Sequence, residues 1–255
     1  MKDKDIAVLV VSCDKYSDMW PVFFELKRRK WADCPYKTYL GSNYIKSGEE
    51  GVSDISIGED KSWADNVREM LGHIEEEYVI MLLDDFFIDR TIDTQRIREL
   101  AQYMEEQGFD SLRLEPEPGP ARLCNRKLRV GKTKPGYPFY VSTQPAIWKK
   151  NSLVKLLKPG YSAWDFELKN TIDADNLECN FAATKDYVFH HKNGVERGKY
   201  YSRTVDFLNS EGIQADFEKR GIINDKSLSR RLDLMVYNFK TCVKCVLAEY
   251  GLWHR

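Results

Sequence analysis

Two aspartates at the end of an uncharged run, Tyr78-Val-Ile-Met-Leu-Leu-Asp84-Asp85, are the residues of this chain best placed to do chemistry. A short run rich in Val, Ile and Leu reads as a strand buried on both faces, the kind found in parallel sheets covered by helices. The acids then sit at the carboxyl end of the strand, where open α/β sheets bind ligands. Adjacent carboxylates repel and are costly to bury unless a cation or a proton separates them, so a divalent metal carrying a phosphate is their natural partner. The bland alternative is one acid capping a turn and the other exposed in a loop. A second stretch, His190-His191-Lys192-Asn193-Gly194-Val195-Glu196-Arg197-Gly198-Lys199-Tyr200, holds two of the four histidines. Neutral imidazole ligates metals, Lys and Arg donate to phosphate oxygens, and glycines let the backbone come close. Such a loop suits a diphosphate.

The elements that must carry these residues follow from the periodicity. Residues 6–12 are a continuous apolar strand, and Ser12-Cys13-Asp14-Lys15-Tyr16 is the turn at its end. A helix is expected over 17–31, with Trp20, Phe23, Phe24 and Leu26 on one face, then strands at 36–40 and 52–57. Ser62 and Asp65 form a capping-box-like start to a helix whose inner face is Val67, Met70, Leu71 and Ile74. After the strand at 78–83, residues 93–107 read as an amphipathic helix stopped by Gly108, and 111–114 as a strand. Alternation of this kind predicts a doubly wound, mostly parallel sheet. The breaker cluster Glu115-Pro-Glu-Pro-Gly-Pro120 and a basic stretch at 122–134, six Lys/Arg and no acid, predict a long mobile loop. Further on, 139–142 and 147–148 look strand-like, 151 starts a short helix ended by Pro159-Gly160, 164–174 is helical, and 187–191 is a last strand.

Composition narrows the partners. A chain of 255 residues can bury a large core as one sizeable domain or as one domain with an appendage. With 39 Lys+Arg against 40 Asp+Glu, nothing in the global charge argues for nucleic acid. No apolar run approaches the roughly 20 residues that span a bilayer. Met1-Lys-Asp-Lys-Asp leads straight into a strand, so a cytoplasmic location is expected. The six cysteines, at 13, 34, 124, 179, 242 and 245, match neither a disulfide framework nor a zinc site. Between 226 and 250, Leu228, Leu232, Met235, Val236, Phe239, Val243, Val246 and Tyr250 fall at helical spacing in a basic segment. That helix either docks on the domain or lies on a membrane surface or a partner.

Several of these motifs together resemble one family. The strand ending in Asp84-Asp85 looks like the Asp-x-Asp region of nucleotide-sugar glycosyltransferases of the GT-A fold. His191-x-x-Gly194 with Gly198-Lys199-Tyr200 is similar to their His-x-x-Gly and Lys-containing tail motif. Gly160-Tyr-Ser-Ala-Trp164-Asp165-Phe166-Glu167 resembles the Trp-x-Phe-Glu segment of bacterial members that build surface polysaccharides. The acidic motif departs in reading Asp-Asp-Phe, with Leu83 in the place of a first acid, and the tail loop carries one extra residue. The resemblance covers roughly residues 6–200.

It implies an α/β, GT-A-like (Rossmann-like) catalytic domain over 1–200, divided into a nucleotide-binding half (1–114) and an acceptor half (115–200), with a helical extension at 201–255. The implied activity moves a sugar from a nucleotide-diphosphate donor to a saccharide, lipid-linked at the inner membrane face or free. Mn²⁺ or Mg²⁺ would be held by Asp85 with Asp84 and His191, His190 remaining the alternative to His191. Arg197 and Lys199 would grip the diphosphate. Ser12, Asp14, Tyr16, Asp60, Ser62 and Asp65 would contact the nucleoside, with Trp63 either stacked on the base or in the core. Asp165, favoured over Glu167, would take the acceptor proton. Competing readings are a nucleotidyltransferase, which usually has a Gly-rich loop where this chain has Ser-Cys-Asp-Lys-Tyr, and a non-catalytic carbohydrate- or nucleotide-binding protein.

Overall fold

A computed structural model describes residues 1–134, 137–173 and 178–225, with isolated positions at 236, 240, 243, 244 and 247. The expected C-terminal helix and the Cys242/Cys245 pair therefore lie almost wholly outside the described residues. Strand β1 (Ile6–Val11) is fully buried. Its alternate side chains point into two cores: Ile6, Val8 and Val10 into one, Ala7, Leu9 and Val11 into the other. This period of two is what a strand between two helical layers requires.

A 3-10 turn over Asp14–Met19 follows, and helix α1 (Trp20–Lys30) carries Pro21 in its first turn, where its fixed φ and missing N–H are tolerated. Then come β2 (Lys37–Ser42), β3 (Val52–Ser56), α2 (Trp63–Gly72), β4 (Tyr78–Leu83), β5 (Phe86–Ile88), α3 (Thr94–Gln107) and β6 (Ser111–Arg113). Ser62 caps α2 by accepting from the Asp65 N–H. Gly108 ends α3 in the left-handed conformation. The second half supplies β7 (Val130–Lys132), β8 (Ala146–Lys149), α4 (Lys150–Leu156), α5 (Ala163–Asp173) and β9 (Phe181–Thr184). It ends with β10 (His191–Asn193), β11 (Val195–Glu196), β12 (Lys199–Tyr201), α6 (Ser202–Ser210), α7 (Phe217–Arg220) and β13 (Ile222–Ile223).

Eight strands form the central sheet in the order β3-β2-β1-β4-β8-β6-β9-β7. β3, β2, β1 and β4 are parallel; β8 runs antiparallel between β4 and β6; β9 is parallel to β6, and β7 closes the edge antiparallel. The protein is thus an α/β fold with a mostly parallel sheet. α1 and α3 cover one face, and α2, α4 and α5 the other. Two small ribbons stand beyond the carboxyl ends of β1 and β4: β5 with β10, and β11-β12-β13.

Three expectations change. Residues 139–142 are a turn, because Phe139 takes φ +54° and its carbonyl is claimed by the Arg113 guanidinium at 2.7 Å. The basic stretch contains β7 paired to β9, and the strand expected at 187–191 is β10, which begins at His191 and is followed by β11, β12 and β13.

Candidate functional site

The chain leaves the central sheet at Asp84-Asp85, where β4 ends and turns into β5. β4 and β1 lie in register up to Leu83 and Val11, so the two acids come up beside Ser12. Around this crest opens a cleft of about 840 Å³. Its floor is Ser12, Asp84 and Asp85. One wall is Cys13 and Tyr16 with Asp60, Lys61, Trp63 and Asn66; a second is Asn193, Val195, Glu196, Arg197 and Tyr201; the far wall is Thr143, Gln144, Trp164 and Glu167.

Asp84 is fixed by a relay. The Trp20 indole Nε1 donates to Ser12 Oγ at 2.7 Å, so the single hydroxyl proton of Ser12 is directed to Asp84 Oδ2, to which it donates. Asp84 is 7% exposed, and burial pushes its carboxyl up to about 8, with the Asp85 charge adding to the rise and the Ser12 bond opposing it. Burial also raises Asp85, to about 6, against the pull of the backbone amides of Val195 and Gly194. The Val195 N–H reaches Asp85 Oδ2 at 3.4 Å, and the Gly194 N–H donates to the Asp85 carbonyl at 2.7 Å. Two carboxyls this reluctant to ionise side by side form a site that a cation would complete. As hard oxygen donors at the edge of a cleft they fit Mg²⁺ or Mn²⁺, which take one or two carboxylates and leave other positions to phosphate and water.

His191 is not part of that donor set. It sits on β10 opposite Ile88 of β5, buried against the Phe86 ring at 4.3 Å between centroids, with Nδ1 3.7 Å from Glu115 Oε2. Burial lowers its pKa. Among the described residues no group of three or more His, Cys, Asp and Glu side chains is arranged to hold a metal. Antiparallel pairing with β5 seats the His191 ring on Phe86 and beside Glu115, and it does not line the cleft with the two acids. His190 does not line the cleft either, its ring stacking on Tyr187.

The two acids expected to act as base also part company. Asp165 closes a capping box at the start of α5: its Oδ2 accepts from the Ser162 N–H and hydroxyl, at 3.2 and 2.8 Å, and Lys169 pairs with it at 2.7 Å. The Lys169 and Ser162 hydrogen bonds hold its pKa down to about 2. It does not line the cleft. Glu167, two positions further along α5, does. Its Oε1 accepts from the Thr143 N–H, Thr143 Oγ1 and Ser142 Oγ at 2.8, 2.9 and 3.2 Å, which leaves Oε2 for the cleft. Phe166 between them is core, against Trp63 at 5.0 Å, whereas Trp164 is 70% exposed at the cleft mouth.

Of the residues expected to touch a donor, Ser12, Tyr16, Asp60 and Arg197 line the cleft. Asp14, Ser62, Asp65 and Lys199 do not. Asp14 holds a loop, accepting from the N–H groups of Asn43, Tyr44 and Ile45 at 3.0–3.1 Å. Ser62 and Asp65 tie the start of α2 to the chain before α5 through the Gly160 N–H. Lys199 is exposed and faces Glu196 across the β11–β12 hairpin. Arg197 stands at the tip of that hairpin with φ +51°, followed by Gly198 at φ +79°. Two left-handed residues in succession make a tight primed turn. Arg197 has no ion-pair partner among the described residues, so its charge is available to the cleft. Thr143, Gln144, Asn66 and Lys61 also line it and carry no sequence signature of a site.

No family model matches the chain, and no curated protein does. Similar solved structures include residues 1–349 of Staphylococcus aureus TarS in complex with UDP-GlcNAc, at 11% identity and TM-score 0.48, over 86% of this chain and 69% of that one. 4-Diphosphocytidyl-2C-methyl-D-erythritol synthase from Anaerococcus prevotii gives 7% and 0.48, over 82% and 96%. The bifunctional IspDF of Campylobacter jejuni gives 13% and 0.44, over 74% of this chain and 52% of that chain's length. At such identities and scores the likeness says nothing of activity, and the chemistry of the cleft rests on its own residues.

Proposed function

We propose that the chain is a glycosyltransferase that moves a sugar from a nucleotide-diphosphate donor to a saccharide acceptor. One observation carries this: a single cleft at the strand ends gathers the Asp84-Asp85 pair, Arg197, which has no ion-pair partner among the described residues, and the half-committed Glu167. In such a transfer, negative charge builds on the leaving diphosphate as the anomeric carbon becomes cationic. Asp85, with Asp84 behind it, would hold Mg²⁺ or Mn²⁺, which when bound supplies Lewis-acid neutralisation of the diphosphate. Arg197 adds charge-assisted hydrogen bonds to the same oxygens. Tyr16, Asp60 and Trp63 form the wall for the nucleoside. Across the cleft, Glu167 accepts the proton of the attacking hydroxyl, Thr143 fixing its carboxylate, and the exposed Trp164 face offers a platform for the acceptor sugar. A lipid-linked acceptor at the inner membrane face fits the basic stretch at 122–134; among the described residues no helix is long and apolar enough to cross a membrane.

Calorimetry with UDP, GDP, dTDP and CMP species, with and without Mn²⁺, tests the reading. Binding strengthened by Mn²⁺ in the native chain and abolished in Asp85→Ala, with the variant still folded, is the expected result. Full transfer by Asp85→Ala removes the metal role. Binding of none of the nucleotides leaves a carbohydrate-binding protein, and release of diphosphate from a nucleoside triphosphate marks nucleotidyl transfer instead.

A further inference from the structure

The cleft has two walls that belong to distant parts of the chain, and one arginine outside the cleft grips the first and continues through Gly221 into the strand that pairs with the second. Arg220, at the end of α7, is only 7% exposed as a side chain. Its Nε and Nη2 donate to both carboxylate oxygens of Asp18 at 2.8 and 2.6 Å, and Nη2 also donates to the Lys15 carbonyl at 2.8 Å. The guanidinium lies 4.5 Å from the centre of the Tyr16 ring. All three partners are on the 3-10 turn that carries the Tyr16 wall. On its other side, Arg220 runs into Gly221, whose carbonyl accepts from Tyr200 N–H at 3.0 Å. β13 then pairs with β12, placing Ile222 opposite Tyr200. β12 is one arm of the hairpin whose tip is Arg197.

From this we infer that Arg220 is a positioning residue that fixes the spacing between the Tyr16 wall and the Arg197 hairpin, and so the width of the donor end of the cleft. The part of this that concerns a nucleotide rests on the function proposed above. A bidentate, largely desolvated guanidinium–carboxylate pair is directional as well as strong, and a cation over an aromatic face holds the ring orientation. Tyr16 also packs against the core on the α1 side, so the guanidinium completes the seat of its ring. Without the guanidinium, the turn and the hairpin keep their own backbone hydrogen bonds but lose the bidentate tie between them, leaving the longer Lys219–Asp18 pair at 3.6 Å between α7 and the turn.

Hydrogen exchange and nucleotide titration on the full chain test this together, using Arg220→Ala, Asp18→Asn and, as a control, Arg98→Ala. Arg98 makes a similar two-pronged pair with Asp3, away from the cleft. Arg220→Ala should speed amide exchange in both 14–19 and 194–201 and weaken binding of UDP, GDP, dTDP or CMP, whichever the native chain takes up, by about tenfold or more. Asp18→Asn should act in the same direction, and the double variant should lose little beyond the singles, since both remove one tie. If exchange rises at neither wall or only one, the positioning role is overturned. It is overturned equally if Arg98→Ala has the same effect, because general loss of stability then explains the result. If the native chain binds no nucleotide while both walls loosen in Arg220→Ala, the tie stands and the nucleotide reading falls.

Discussion

Asp165 and Glu167 stand two positions apart on one helix, and their surroundings give them opposite properties. A carboxylate held down to about 2 by Lys169 and Ser162 is a weak base as well as an occupied one. Asp165→Ala should therefore lower the thermal midpoint, through a lost cap, and leave turnover intact. Glu167→Gln keeps an acceptor for Thr143 but cannot take a proton, and should cut turnover by about 10²-fold or more with the midpoint unchanged. A stopped assay beside a melting curve separates the two. Buried acids also set a pH dependence. Glu115, 1% exposed, has a carboxyl raised to about 8 by burial and by the Glu117 charge, and its Oε1 has no partner among the described residues. Above about pH 4.5 the unfolded chain releases this proton while the folded chain keeps it, so stability falls as pH rises towards 8 and then levels. Asp84 and Asp85 have the same sign. Burial of His191 acts the other way, opposing protonation and removing stability as pH falls through its unfolded value. Urea midpoints from pH 5 to 9 should fall for the native chain and fall less for Glu115→Gln; an equal slope in both would exclude Glu115. The acid pair was readable because its members are neighbours in sequence. Thr143 and Gln144 were not, since only the folded chain brings them to the cleft, nor was Arg220, which meets Asp18 and Tyr16 just outside it, and the pairing of His191 with Ile88 is invisible in a motif.

The elements that shape the site are two short ribbons rather than the long strands. β5 and β10 hold the crest after Asp85, and the β11–β12 hairpin bends over it, with Gly194 at the junction. A Cβ on Gly194 would lie 2.9 Å from the Phe87 ring, 3.1 Å from the Asp85 carbonyl and 3.1 Å from the Met19 methyl. The ring and the carbonyl belong to the rigid crest, so the hairpin must give way. Gly194→Ala should cost about 1–3 kcal/mol in a urea titration, as overpacking of a tight contact does, and should weaken nucleotide binding by displacing Arg197. A variant as stable and as avid as the native chain would mean that the close approach is not needed. Long elements were legible because their periodicity is strong: β1, β4, α2 and α3 lie where apolar spacing and caps put them. The ribbons were not, because strands of two or three residues carry no period. β9, Phe-Ala-Ala-Thr, was missed because alanine has little strand preference, and its place comes from pairing with β6 and β7. The Arg197-Gly198 turn lacks the Asn-Gly or Asp-Gly pair that usually marks such a hairpin.

At the scale of the whole molecule, the division of function expected at residue 114 does not coincide with a division of the sheet. β8, from the second half, lies between β4 and β6 of the first, pairing Ile80 with Ile147 on one side and Leu112 with Ile147 on the other. β9 then flanks β6. A fragment covering 1–114 would leave β4 with an open edge and β6 with no neighbour, while losing Trp148, Leu153, Leu156 and Phe166 from the core on the α2 face. Unpaired edges beside exposed apolar faces aggregate or unfold. The expected result is therefore a fragment without cooperative melting, running as aggregate or expanded chain on a sizing column. The full chain should unfold in one transition, its tryptophans reporting from both faces of the sheet: Trp20 and Trp31 on the α1 side, Trp148 on the other. Urea curves followed by fluorescence and by far-UV circular dichroism should superimpose. A folded, monomeric 1–114 fragment would contradict this directly. It would mean that the β1–β4 sheet needs no partner on its β8 edge.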